Sequence, residues 1–235
     1  MRFEERELQP FSTPVSATEL REGSVYFAVT YTPENMTIPL METLMFVGRN
    51  LNPGTVGQVY FKELTCYRSG VRNDDETSND NDDRGWLKED DLNHIFEYEN
   101  ALDGLMWCSL RRSKLDEQGP MHWEERELSA DAQPILPAEL KEGSVYFVID
   151  YVDEARLIPV MNTLVFIGRD LQAADTGKFY FQDLYSHADG FHYDSPDKPD
   201  WSTFHVESEN QPIHTFEFEY ALEELMRCSL RRRKV

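Results

Sequence analysis

Residues 1–115 and 121–235 read as one sequence written twice, in register, at a constant offset of 120 and with no gap. Met1-Arg2-Phe3-Glu4-Glu5-Arg6-Glu7-Leu8 returns as Met121-His122-Trp123-Glu124-Glu125-Arg126-Glu127-Leu128, and Gly23-Ser24-Val25-Tyr26-Phe27 as Gly143-Ser144-Val145-Tyr146-Phe147. Roughly 48 of the 115 aligned positions are identical, far above chance for a self-comparison at a single period. A unit of this length buries about two-thirds of its unfolded surface and can build a core without help from its twin. The expected organisation is a first repeat domain at 1–115, a linker at 116–120 ending in the breakers Gly119-Pro120, and a second repeat domain at 121–235.

Within each copy the hydrophobic spacing alternates between strand and helix periods. Ser24–Tyr31 and its repeat Ser144–Tyr151 place Val25, Phe27, Val29 and Tyr31 on one face, with Tyr26 and Ala28 on the other. That is the pattern of a central strand covered on both sides. Thr43–Arg49 and Gln58–Leu64 (Thr163–Arg169 and Lys178–Leu184) flank a turn-rich loop and predict an antiparallel hairpin. Phe3–Leu8 and His94–Tyr98 are weaker strand signals, and Ser16–Glu22 suits a single helical turn before Gly23. Asn100–Arg112, repeated at Tyr220–Arg232, predicts a helix with Ala101, Leu102, Leu105, Met106 and Ser109 toward the core. The fold class expected is therefore α+β, a tandem duplication in which each copy is a mainly antiparallel sheet of about five strands with a C-terminal helix.

The net charge is −21, shared almost equally by the two copies, which excludes the usual basic footprint of nucleic-acid binding. No apolar run reaches the length of a membrane span, and the acidic start resembles neither a signal nor a transit peptide. Cys66, Cys108 and Cys228 show no CxxC or finger spacing, and their odd number suits a reducing compartment, so a cytoplasmic location is expected. No phosphate loop, GxSxG, HExxH or Cys/His nucleophile pattern occurs, so the reading leans away from an enzyme and expects no cofactor.

Three places differ enough between the copies, or gather enough polar chemistry, to be weighed as sites. On the first C-terminal helix Trp107 lies almost opposite the core stripe, beside Gly104 and Asn100. Its counterpart Arg227, within reach of Glu223 and Glu224, has the pattern of a solvated face. Trp107, Gly104, Asn100 and Tyr220 are therefore the candidate interface, with the tryptophan expected to pack on the second copy or on another molecule. Before the last strand the first copy runs through the acid- and amide-rich Asn73–Asp83. The second carries Phe191, Tyr193, Trp201 and Phe204, the candidate lining of a pocket near residues 187–213.

His187, Asp189, His192, Asp194 and His205 bring metal-ligand chemistry to that same stretch, but without helical ligand spacing, and a polar loop is the simpler reading. Glu97 and Glu99, with Glu217 and Glu219, fall two apart on the candidate strand and so share a face opposite His94; solvated carboxylates are the simpler reading there too. The matched acids Glu4, Glu5 and Glu7 are expected to pair with Arg111, Arg112 and Lys114 at the helix end. Taken together these readings favour a non-enzymatic, acidic, tandem-domain protein that binds a basic protein partner, as an inhibitor or immunity-type module does. The alternative is a small-molecule-binding protein or hydrolase using the pocket of the second copy.

Overall fold

A computed structural model describes residues 1–32, 37–64, 84–113, 119–191, 193, 204–208 and 214–235. The strands are β1 (Arg2–Phe3), β2 (Arg6–Leu8), β3 (Val25–Tyr31), β4 (Pro39–Arg49), β5 (Gln58–Glu63), β6 (Arg84–Lys88) and β7 (Ile95–Phe96); the single strand expected at Phe3–Leu8 is two short ones, and β6 is a strand that the sequence pattern does not predict. Helix α1 (Tyr98–Ser113) follows, then β8 (Met121–Trp123), β9 (Arg126–Glu127), β10 (Val145–Tyr151), β11 (Pro159–Arg169) and β12 (Lys178–Asp183). A short α2 (Leu184–Ala188), β13 (Phe204–Ser208), β14 (Thr215–Phe216) and α3 (Phe218–Arg232) complete the chain. Five strand pairs, β3/β10, β4/β11, β5/β12, β6/β13 and β7/β14, have the same length and lie 120 residues apart. The class is α+β, with an antiparallel sheet and a helix at the end.

The chain divides into two compact units. The first comprises Met1–Ala130, Asp150–Met161 and Leu225–Val235, and the second Asp131–Ile149 and Asn162–Glu224. Residues 116–118 lie outside the described residues.

In the first unit the strands run in the order β6-β5-β4-β3-β7, antiparallel throughout. The central β3 is covered on both faces, as its double-sided apolar pattern predicts. Phe27 meets Tyr98 of α1 edge-on at 5.1 Å, while Tyr26 on the other face meets Phe61 at 6.4 Å. The Tyr26 face holds Val15, Leu20, Ala28, Phe46, Val59, Leu92 and Ile95 in one apolar cluster. Its cover, the segment around the 3₁₀ turn Ala17–Glu19, is tied down by Val15 N–H donating to Ile95 O at 2.8 Å. Helix α1 packs on the opposite face against β3 and β7, and also touches β2 and β8.

The same unit contains two short ribbons, β1 with β9 and β2 with β8, and one further pairing in which Met161 of β11 lies opposite Met41 of β4. Thr43 reinforces the latter, its buried hydroxyl donating to Pro159 O at 2.7 Å.

The second unit repeats the strand order as β13-β12-β11-β10-β14. Its core is Ile135, Leu140, Tyr146, Val148, Leu164, Phe166, Phe179 and Phe181. Both hairpins, β4 with β5 and β11 with β12, carry a register shift at the same place, after Phe46 and after Phe166, where Gly48 and Gly168 take φ of 155° and 144°. A side chain at Gly168 would put Cβ 2.9 Å from Leu171 Cδ2, so the bulge and its glycine belong together.

Three local expectations are corrected. The C-terminal helix starts at Tyr98, not Asn100, because Glu97 O accepts from Ala101 N–H at 3.0 Å; Glu99 therefore lies in the helix, and Glu97 and Glu99 share no strand face. The second hairpin arm ends at Asp183 and is followed by α2, since Asp183 Oδ1 accepts the Ser186 N–H at 2.8 Å and caps a new helix. Arg227 is not on a solvated face: it is 1% exposed, and donates through Nε to Ser129 O and through Nη2 to Ser129 Oγ, both at 3.0 Å.

Candidate functional site

The helix face chosen from sequence is covered by the first unit's own chain. Asn100 Nδ2 donates to Thr13 O at 2.9 Å, and the Tyr31 hydroxyl donates to Gly104 O at 2.9 Å. A Cβ on Gly104 would stand 3.1 Å from that hydroxyl, so the glycine is what lets Tyr31 reach the helix backbone. Burial pushes the Tyr31 phenol well above its ordinary range, with Cys108 adding to the effect. Trp107 is 2% exposed; its indole N–H donates to Gly119 O at 3.3 Å and the Arg111 guanidinium lies 5.2 Å from its ring centre. Tyr220, of the second unit, is 37% exposed.

On the first two strands and the residues between them, Glu4 and Arg6 reach charged groups near the C-terminus and at the start of α1. Arg6 of β2 reaches the start of α1, 3.4 Å from Glu99 and 2.6 Å from Asp103. Burial raises the Asp103 carboxyl although Arg6 pulls it down, so desolvation outweighs the ion pair there. Glu99 also accepts from Ser229 Oγ at 2.6 Å and lies 3.3 Å from Arg233, and Glu4 has Arg233 at 3.6 Å. Cys108 and Cys228 are both buried, and burial pushes the Cys228 thiol up despite Tyr98, Arg231 and Arg232 nearby, which is the opposite of an activated nucleophile. Cys66 lies outside the described residues.

The second unit holds a concavity of about 320 Å³, lined by Gly143, Phe166, Ile167, Leu171, Gln182, His187 and Tyr193. Gln182 is 1% exposed on β12, and its Nε2 donates to Ser186 Oγ and Phe191 O, each at 2.9 Å. Tyr193 stands against Tyr180, ring centres 5.0 Å apart, and its hydroxyl accepts from Gln172 Nε2. Of the aromatic residues read from sequence, Tyr193 lines the concavity and Phe191 contributes its carbonyl to Gln182. Phe204 pairs with Gln182 across β13 and β12, and Trp201 lies outside the described residues.

Gln182 and His187 were not paired by sequence reasoning; the signal was the change from Lys62 and Tyr67 at the matching positions of the first copy. The lining offers an apolar wall of Phe166, Ile167 and Leu171 beside neutral donors and acceptors. His187 adds the imidazole of the short helix α2 to this lining. His187 and Asp189 belong to no group of three or more potential metal ligands among the described residues; His192 and Asp194 lie outside them. Among the described residues no helix is long and apolar enough to cross a membrane.

No protein-family model matches this chain, and no curated protein and no solved structure matches it either.

Proposed function

We propose that the chain is a fused duplication of one α+β unit and that it acts by binding: an acidic interaction module, of inhibitor or immunity type, for a basic protein partner. The observation that supports this reading is where the matched acids stand. Glu4, Glu5 and Glu7 in one copy, and Glu124, Glu125 and Glu127 in the other, are all exposed on a chain of net charge −21. Such a surface steers a cationic partner and makes association fall with ionic strength. The two sets of acids lie on strands that pair with each other, β1 with β9 and β2 with β8, so they present one acidic region.

The test is capture of a partner at low salt, its identification, and calorimetry with the purified pair at about 50 and 300 mM salt, a range over which screening shortens from roughly 14 to 6 Å. A variant with all six glutamates changed to glutamine should lose at least about tenfold in affinity, equal to about 1.4 kcal/mol. Unchanged affinity in that variant, or binding indifferent to salt, would reject the reading.

A second reading, a small-molecule site in the concavity of the second unit, has its own support in the buried Gln182 beside an apolar wall. Thermal-shift screening with small neutral aromatic amides tests it. Stabilisation that disappears in Gln182→Leu would favour it, and no stabilisation by any of them would count against it.

A further inference from the structure

Residues 1–8 pair with residues 121–128, and the register has a property that ordinary strand pairing lacks. Arg2 faces Glu127 and Phe3 faces Arg126, while Arg6 faces Trp123, Glu7 faces His122 and Leu8 faces Met121. Subtracting the offset of 120, position 2 meets 7 and 7 meets 2, and position 3 meets 6 and 6 meets 3. Position 8 meets 1, and the converse is made as well, Leu128 N–H donating to Met1 O at 2.5 Å. Every pair thus occurs in both senses.

One side-chain contact follows the same rule. Arg2 pairs with Glu125, and the mate of that contact, His122 with Glu5, is present at 3.8 Å. The β4–β11 pairing obeys it independently: Met41 lies opposite Met161, its own counterpart, and Thr43 reaches Pro159, the counterpart of Pro39. A residue lies opposite itself in an antiparallel pair only when a two-fold axis passes between them. A surface in which i meets j and j meets i is isologous, the hallmark of a closed homodimer contact.

We infer that residues 1–8 together with the Met41–Thr43 stretch of β4 form a self-complementary docking surface whose occupant is a second copy of itself, supplied in this chain by residues 121–128 and 159–161. This rests on the duplication proposed above and is independent of the basic partner. The covalent join between the copies sets the effective concentration of the contact and does not create it. The buried residues at the contact say the same. Phe3, Leu8, Met41, Met121, Trp123, Leu128 and Met161 are each no more than 4% exposed, an apolar centre, and Met1, the mate of Met121, stands at its edge with 43% exposed.

The experiment uses the whole chain with a site-specific protease sequence placed between Ser113 and Gly119, cut after folding. The cut protein should elute at the mass of the uncut chain at micromolar concentration, with unchanged circular dichroism. Thr43→Val, which leaves the shape of the side chain, should weaken the association of the cut halves about tenfold. After unfolding and refolding of the cut sample, native mass spectrometry should show first–first and second–second pairs beside first–second pairs. Halves that separate on cutting would overturn the inference, and refolding to first–second pairs alone would show a complementary surface that is not self-complementary, which overturns it equally. Neither outcome bears on the salt-dependent binding test, so the two proposals fail separately.

Discussion

Trp107→Ala tests whether the helix face singled out by its tryptophan belongs to the core. The ring is 2% exposed. An aromatic side chain of this class buries roughly 150–250 Å², which at about 25 cal/mol per Å² is about 4–6 kcal/mol before allowing for a compact unfolded state. That allowance removes roughly 10–40% and leaves about 3–5 kcal/mol, the range measured when large aromatic residues are truncated in cores. The indole bond to Gly119 O, long at 3.3 Å, and the Arg111 guanidinium 5.2 Å from the ring add to this total. Each contributes only about 0.5–1 kcal/mol.

Urea unfolding followed by far-ultraviolet circular dichroism should therefore lose about 3–5 kcal/mol, with a midpoint depressed by roughly 6–20 °C in a thermal scan at 2–4 °C per kcal/mol. Trp107→Arg, which installs the residue of the matching position 227, should cost more. The cost comes from putting a charged guanidinium where the indole is 2% exposed, since a buried charge must be desolvated before any partner compensates it. A loss below about 1 kcal/mol for Trp107→Ala would mean that the ring carries none of the packing described, and the covered-face account would be refuted.

Two smaller predictions follow from single contacts. Tyr98→Phe removes a hydroxyl that donates to Leu225 O at 2.7 Å in a fully buried setting. The matching residue is already Phe218, so the ring should remain seated and the loss should be about 1 kcal/mol by denaturant midpoint, with a result of zero arguing that the bond contributes nothing. Glu19 accepts from Ser16 Oγ at 2.7 Å and from Ser16 N–H at 3.0 Å, and these bonds hold its carboxyl below the ordinary 4.5. A depressed carboxylate contributes stability above its unfolded value and loses it as pH falls through the folded one, so Glu19→Gln should flatten the acid limb of the stability–pH curve; an identical limb in both proteins would contradict this.

The strands were legible because their alternation is local. Val25 to Tyr31 shows both faces apolar, and the structure uses both, one under Tyr98 and one under Phe61. The helix start was missed because Glu97-Tyr98-Glu99 alternates like a strand, and only the Ala101 N–H to Glu97 O bond shows that the backbone has already turned. Arg227 was read as solvated because its sequence neighbours are acids. Its burial depends on Ser129, 98 residues away, which no window along the helix contains. Of the aromatic residues between 191 and 204, Tyr193 lines the concavity; Gln182, which lines it too, sits in a strand whose pattern gives no sign of a polar core.

Sequence alone determined the central strand, the hairpin arms and most of the last helix of each copy, and that the pattern recurs after 120 residues, because periodicity acts over a few residues at a time; α2, β6 and β13 left no such signal. It paired β4 with β5 and β11 with β12 as local hairpins, but it did not determine the pairings at long range. The exchange of residues 1–8 with 121–128 and the meeting of Met41 with Met161 join segments far apart along the chain, and pairings at that distance are chosen by the burial they complete, a property of the assembled surface and not of any segment.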